Sequence, residues 1–327
     1  MNNAEREPRL CVSAVHFYVP VISLRTISDF PKTLRGGAVA IGNFDGVHLG
    51  HARLVERLRV MAKSVGGPAV VFTFDPPPVR VLRPEAAPEP LLWLDRKLEI
   101  LEELGADAVL VYPTDRTFLE MEARVFFDRV VRDCLIARAM VEGPNFFFGR
   151  NRSGNVESLR RFCEEANMPF EVAAPVEIDG QIVSSSRVRS LVMTGRLDEA
   201  RAMLGRPYRI RGTVIHGVSR GVTIGFPTAN LGGIDTLLPG EGIYAARALV
   251  ERCWHPAAVS LGPNPTFDEG QLKVEVHIIG FQGDIYGQPI EVDFLARLRD
   301  IIRFDGVAAL KAQLARDIVR TLEIVNA

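Results

Sequence analysis

Ten consecutive residues constrain this fold most: Gly42-Asn43-Phe44-Asp45-Gly46-Val47-His48-Leu49-Gly50-His51. The apolar run Ala38–Ile41 leads into them and predicts a buried strand. Leu54, Leu58 and Met61 follow at helical spacing and predict a helix. A glycine-rich turn between a strand and a helix N-terminus suits a phosphate, because the first helical N–H groups are unpaired and partly positive. Gly42, Gly46 and Gly50 let a ligand approach the backbone. His48 and His51 stand three apart and share a face at the helix start. Two imidazoles beside a triphosphate can donate hydrogen bonds to the oxygens that gain charge during transfer. Such a pair could also hold a metal, but no third ligand stands nearby.

Strand and helix patterns alternate through the first half. Strands are expected at Ala69–Phe74, Ala108–Tyr112, Ala139–Val141 and Phe170–Val176. Helices are expected at Leu94–Leu104, Glu122–Leu135 and Val156–Ala166. This alternation predicts a parallel sheet with helices on its faces, and ligands bind beyond the carboxyl ends of such strands. The loop Gly143-Pro144-Asn145-Phe146-Phe147-Phe148-Gly149 runs three aromatics together. They are costly to expose and suit a flat ring system. Ser184-Ser185-Ser186-Arg187-Val188-Arg189 precedes another helical run; its serines are good N-caps.

The pattern changes after Leu197–Leu204, where Gly205-Arg206-Pro207 breaks a short helix. Short apolar runs separated by Gly and Pro then predict a small antiparallel barrel. A last helix carries Val307, Leu310, Leu314, Ile318 and Leu322 on one face, expected to pack on that barrel. The chain therefore reads as an α/β parallel-sheet domain followed by a small antiparallel β-barrel domain with a C-terminal helix. The barrel region lacks a Walker A motif and GxGxxG, yet contains Gly225-Phe226-Pro227-Thr228-Ala229-Asn230. In Lys273-Val274-Glu275-Val276-His277 the polar residues alternate, so Lys273, Glu275 and His277 share one strand face. A solvated barrel exterior would show the same pattern.

With 327 residues, two domains of ordinary size fit, and 47% hydrophobic residues are enough to bury their cores. A net charge of −1 gives no general attraction to nucleic acid or an anionic membrane. Cys11, Cys134, Cys163 and Cys253 are scattered, without a CxxC pair, which fits a reducing cytoplasm. No apolar run reaches the roughly 18 residues of a transmembrane helix. The apolar stretch Leu10–Leu24 follows Glu5 and Glu7 and is interrupted by His16 and Pro20, against a signal peptide.

The ten-residue turn, the serine–arginine segment, the Gly-Phe-Pro-Thr-Ala-Asn string and Glu275 together resemble the bacterial bifunctional riboflavin kinase/FAD synthetases, from about residue 21 to the C-terminus. The resemblance implies a Rossmann-like FMN adenylyltransferase domain at 21–204, a riboflavin kinase domain at 205–327 and an extension at 1–20. It implies ATP, riboflavin and FMN as substrates, Mg²⁺ as cofactor, a cytoplasmic location, and neither nucleic-acid nor membrane partners. The oligomeric state stays open. Gly42, Asn43, Phe44, Asp45, Gly46 and Gly50 would bind the nucleotide with catalytic His48 and His51, and Ser185, Ser186 and Arg189 would hold the leaving pyrophosphate. Asn145, Phe146 and Phe148 would contact flavin. In the kinase half, Gly225, Thr228 and Asn230 would bind ATP phosphates, with Thr228 and Asn230 on Mg²⁺. Glu275 would be the base, and Arg299 would lie near the flavin phosphate.

The sequence departs from the family at several points. Pro77 stands for a histidine, Asn145 for Asp, Phe147 and Val222 each for Arg, Ser260 for Asn, and Ile301 for Glu. Three alternatives remain open from sequence: an FAD synthetase whose kinase half is impaired, a different adenylyl- or cytidylyltransferase, and a non-catalytic flavin-binding protein.

Overall fold

The computed structural model describes residues 21–23, 29–217, 220–264 and 269–327. The extension 1–20 with Cys11, the residues Val218, Ser219, Pro265, Thr266 and Phe267, and the side chain of Val222 lie outside the described residues. The chain forms two compact units, one ending at Ser185 and one running from Ser186 to Ala327.

The first unit is built on β1 (Val21–Ser23), β2 (Ala38–Ile41), β3 (Ala69–Phe74), β4 (Ala108–Tyr112) and β5 (Ala139–Glu142). A hairpin of β6 (Phe147–Phe148) and β7 (Gly154–Asn155) follows, then β8 (Phe170–Val172) and a second hairpin, β9 (Glu177–Ile178) with β10 (Gln181–Ile182). The main sheet has the order β1-β4-β3-β2-β5-β8, and every pairing in it is parallel. Its helices are α1 (Leu49–Ser64), α2 (Pro78–Leu82), α3 (Leu94–Glu103), α4 (Arg116–Leu119), α5 (Ala123–Phe126) and α6 (Val156–Glu165). Phe127–Cys134 continues α5 as a π-helix, so the second half of the helix expected over 122–135 is wound more widely.

Continuous apolar strands are what a sheet covered on both faces requires. Successive residues of β2 serve opposite faces: Ala38 and Ala40 pack under Leu54, Val55 and Leu58 of α1, whereas Val39 and Ile41 join Phe72, Leu110 and Phe127. Each fully buried large apolar side chain contributes about 1.5–3 kcal/mol. The chain proceeds outward from β2 to β3 and β4, then returns to β5 on the other side of β2. The point where strand order reverses therefore lies between β2 and β5, and a crevice opens there in sheets of this kind. The turn that carries His48 leaves from the end of β2.

The second unit begins with α7 (Ser185–Met193, from Ser186 onward) and α8 (Leu197–Leu204). Gly240 donates its N–H to the Val192 carbonyl (3.0 Å), tying α7 to the barrel. The barrel comprises β11 (Tyr208–Ile215), β12 (Ala229–Gly232), β13 (Gly242–Val250), β14 (Cys253–Asn264), β15 (Glu269–Ile278) and β16 (Pro289–Arg299). It closes in the order β11-β12-β15-β14-β13-β16, antiparallel throughout. The short α9 (Arg220–Ile224) precedes β12, and α10 (Val307–Val325) packs on β13, β14 and β16. Of the expected line on α10, Leu310, Leu314, Ile318 and Leu322 are half-buried. Val307 is 46% exposed, and the buried residues are Asp317 and Thr321. Asp317 goes inside because it has a cation to meet, as described below.

Candidate active site

The histidine turn is held by its own apolar side chains. Phe44 and Val47 have positive φ of 47° and 35°, and both are 1% exposed. Burying them offsets the local strain of that backbone. The Val47 N–H donates to the Phe44 carbonyl (3.2 Å), the Thr73 hydroxyl to the Asn43 carbonyl (3.3 Å), and the Gly42 N–H to the Phe72 carbonyl (3.0 Å). His48 is the N-cap of α1: its Nδ1 accepts the backbone N–H of His51 at 3.4 Å. In the neutral ring that leaves the proton on Nε2. The two imidazoles stack, with centroids 3.8 Å apart and planes 17° apart. A Cβ at Gly50 would lie 3.0 Å from His48 Cε1, so the glycine between the histidines makes room for the stack.

Asp45 is the hub of the turn. Its Oδ1 accepts the Leu91 N–H (2.8 Å), and its carbonyl accepts the Ser185 hydroxyl (2.8 Å). Ser185 opens α7, where Ser186 follows and Arg189 lies one helical turn on.

The aromatic loop separates its three rings. Phe146 stacks on Phe148 (5.4 Å), and Phe148 enters the core beside Phe126. Phe147 is the ring left 45% exposed, with the Arg152 guanidinium 4.4 Å over it, and Asn145 is exposed. The outward aromatic is thus Phe147, one of the three rings expected to suit a flat ring system and the one that stands where the family has Arg. Pro77 precedes α2 at its N-cap.

Two further buried groups were missed. Glu142, at the end of β5, is 1% exposed, and its Oε1 accepts the Ile41 N–H at 2.8 Å. Burial raises its carboxyl pKa well above the ordinary 4.5, against the backbone hydrogen bond. Lys97 on α3 is 6% exposed. Burial lowers the pKa of its ammonium, and the carboxylates of Asp45 and Asp75 act against that shift. A signal for Lys97 was present: it is in phase with Leu101 and Leu104 on the apolar face of its helix.

In the second unit, Asn230 on β12 and Glu275 on β15 are direct cross-strand partners, and Ser260 on β14 faces Glu275 from the other side. Thr228 sits just before β12. The Gly-Phe-Pro-Thr loop is pinned to β15 by His277, whose Nδ1 lies 2.7 Å from the Pro227 carbonyl and whose ring meets Phe226 edge-on. Gly225 ends α9 at a φ of 85°. A cavity of about 460 Å³ opens beside this row, lined by His216, Gly217, Asn230, Ile234, Leu238 and Lys273. That is ample for a nucleotide-sized ligand. A Cβ at Gly217 would fall 2.2 Å from Asn230 Nδ2, so the chain closes on the Asn230 amide.

Arg299 ends β16 in the grip of α10. Its Nη2 donates to Asp317 Oδ2 at 2.8 Å, its Nε lies 3.1 Å from the same oxygen, and its Nη1 donates to the Asp300 carbonyl at 3.0 Å. Gln313 donates to the other Asp317 oxygen at 2.8 Å. Ile301 lies over Gly262, where a Cβ would sit 2.4 Å from Ile301 Cδ1.

The FAD synthetase family model matches residues 30–187, and the riboflavin kinase family model matches residues 204–325. The bifunctional riboflavin kinase/FMN adenylyltransferase of Haemophilus influenzae is 35% identical over 297 residues, covering 90% of this chain and 96% of the relative. The chain belongs to the bifunctional riboflavin kinase/FMN adenylyltransferase family. Members from Pseudomonas fluorescens and Listeria monocytogenes are 35% and 36% identical over 90% and 85% of this chain, and 95% and 89% of their own. A crystal structure described as a macrolide-efflux protein from Streptococcus pneumoniae superposes with a TM-score of 0.80 at 32% identity, over 92% of this chain and 98% of that one. Among the described residues no helix is long and apolar enough to cross a membrane. As a bifunctional riboflavin kinase/FMN adenylyltransferase, the chain carries both activities: it phosphorylates riboflavin with ATP to FMN, then adenylylates FMN with a second ATP to FAD.

Proposed function

We propose that the two reactions divide between the two sites, with FMN made at the Asn230–Glu275 row and FAD made at the histidine turn. In this reading the catalytic halves are residues 21–204 and 205–327. The row carries the first assignment, because it sets a carboxylate directly opposite a neutral oxygen donor beside a nucleotide-sized cavity. Glu275 takes the proton of the ribityl hydroxyl as that oxygen attacks the γ-phosphorus of ATP, and ADP leaves. Thr228 and Asn230 would hold Mg²⁺ and the phosphates. Hard oxygen donors, few in number, suit an ion that keeps waters and shares phosphate oxygens. Held there, Mg²⁺ would offset charge on those oxygens. Arg299 lies near the flavin phosphate.

At the turn, the FMN phosphate attacks the α-phosphorus of ATP and pyrophosphate leaves. His48 and His51 donate to the oxygens that gain charge, while Gly42, Asn43, Phe44, Asp45, Gly46 and Gly50 frame the nucleotide. Ser185, Ser186 and Arg189 hold the leaving pyrophosphate; the arginine fork suits two phosphate oxygens. Asn145, Phe146 and Phe148 form the flavin side of the loop. The enzyme works in the cytoplasm, consistent with free Cys134 and Cys163, and binds no nucleic acid.

The test is a pair of variants assayed for both products. Glu275→Ala abolishes FMN formation and spares FAD formation from supplied FMN. The double replacement of His48 and His51 by Ala does the reverse, lowering FAD formation by about 10²–10⁴. Loss of both activities in either folded variant would refute the division.

A further inference from the structure

The loop that leads into Thr228 has few ways to be held. Pro227 carries no N–H, so its carbonyl is the only backbone polar group through which that residue can be fixed. The ladder between β12 and β15 starts too late to do it. Strand β12 begins at Ala229, whose partner is Val276, and Asn230 then faces Glu275. Continued one step back, that register would set Thr228 opposite His277. The His277 side chain reaches one residue further, and its Nδ1 lies 2.7 Å from the Pro227 carbonyl oxygen. A carbonyl oxygen only accepts, so Nδ1 carries the proton and donates.

On its other side the loop is fastened by α9. The Phe226 N–H donates to the Gly221 carbonyl at 2.8 Å, and a Cβ at Gly221 would fall 2.3 Å from the Phe226 carbonyl oxygen. The Phe226 ring meets the His277 ring edge-on, with centroids 5.8 Å apart. Thr228 therefore stands between two fixed points, the Pro227 carbonyl held by His277 and the ladder pairs of Ala229 and Asn230. His277 and Glu275 are two apart on β15 and share a face. One strand face thus carries both the carboxylate opposite Asn230 and the ring that fixes the carbonyl before Thr228.

We propose that His277 is a positioning residue of the FMN-forming site: by donating its Nδ1 proton to the Pro227 carbonyl, it holds the loop where Thr228, with Asn230, receives the ATP phosphates. It acts through Pro227 and does not touch the reacting atoms. The proposal rests on the reading that the Asn230–Glu275 row is the kinase site.

The experiment compares His277→Phe, His277→Asn and Glu275→Ala, each assayed for both activities and for thermal stability. Phenylalanine keeps a ring for Phe226 and removes the donor, whereas asparagine offers an amide N–H near the place of Nδ1 and removes the ring. His277→Phe is expected to raise the KM for ATP in FMN formation at least about fivefold, the scale of one lost hydrogen bond. The KM for riboflavin, and FAD formation from FMN, should each stay within about twofold, a split that general loosening of the barrel would not give. His277→Asn should keep the ATP KM within about twofold of wild type, a rescue that follows the donor and not the ring. A second readout needs neither nucleotide nor metal. Imidazole nitrogen NMR of the free protein, taken above the ordinary imidazole titration range, should show His277 as the Nδ1-protonated tautomer, its signal identified by its loss in His277→Asn. An unchanged ATP KM in His277→Phe, an equal defect in His277→Asn, a parallel loss of both activities with a lowered melting temperature, or an Nε2-protonated ring would each overturn the proposal. Glu275→Ala separates the two levels. If it forms FMN normally, the row is not the kinase site and the role of His277 falls with it. If it loses FMN formation while His277→Phe is normal, only the role of His277 falls.

Discussion

The carboxyl of Glu142 at the end of β5 accepts the backbone N–H of Ile41 at the end of β2, 2.8 Å away. The two strands pair through Ala38–Ala139 and Val39–Met140 and then part. Glu142 thus takes over one ladder bond at the place where the sheet changes direction. Its carboxyl is neutral in the folded protein over a pH range in which the unfolded chain ionises it. The folded state binds more protons there, so stability falls as pH rises from about 4.5 toward the raised value. Glu142→Gln keeps an acceptor and removes the titration. Thermal melts between about pH 5 and about pH 8 should show the wild type losing stability relative to this variant. Parallel curves would contradict the assignment. Glu142→Ala, which leaves the Ile41 N–H without its acceptor, should cost about 1–3 kcal/mol.

Gly217 predicts a kinase-specific defect. A Cβ there would fall 2.2 Å from the Asn230 Nδ2, so the Asn230 amide must shift to admit it. Gly217→Ala should reduce FMN formation at least about tenfold, since a shift of about 1 Å in a positioning group costs that or more. FAD formation from FMN should hold. Normal FMN formation would show that Asn230 does not depend on this approach.

The ion pair between Arg299 and Asp317 predicts a coupled loss. Both side chains are largely buried, so Asp317→Ala strands the guanidinium and should cost about 2–3 kcal/mol in stability. The freed Arg299 should also raise the KM for riboflavin in FMN formation. A destabilised variant with an unchanged riboflavin KM would mean that Arg299 only fastens α10.

Metal removal should affect chemistry and not folding. Chelation should stop FMN formation, and added Mg²⁺ should restore it. The melting temperature should stay put, because the proposed ligands, Thr228 and Asn230, are few and would leave most of the coordination of the ion to phosphate and water. A large fall in melting temperature on chelation would point to a structural metal instead.

Much of this was legible in the sequence because local pattern and tertiary fold agree. The run Ala38–Ile41 is a strand and Leu49 opens a helix as expected, since a buried strand and an amphipathic helix each have a clear period. The barrel was legible from its turn spacing. Three features were not. The π-wound stretch Phe127–Cys134 has the same residue spacing as an ordinary helix to within a turn. Phe148 and Phe147 face opposite ways because β6 alternates, which three identical letters in a row conceal. The buried line of α10 runs through Asp317, a charged residue that goes inside only because Arg299, on another element, meets it.

The most direct test of the account is a time course with riboflavin, ATP and Mg²⁺, separating riboflavin, FMN and FAD by chromatography. The account predicts that FMN appears first and then converts to FAD. FAD formed only from added FMN, with riboflavin left untouched, would contradict it and would place the fault in the row of Asn230, Glu275 and Ser260.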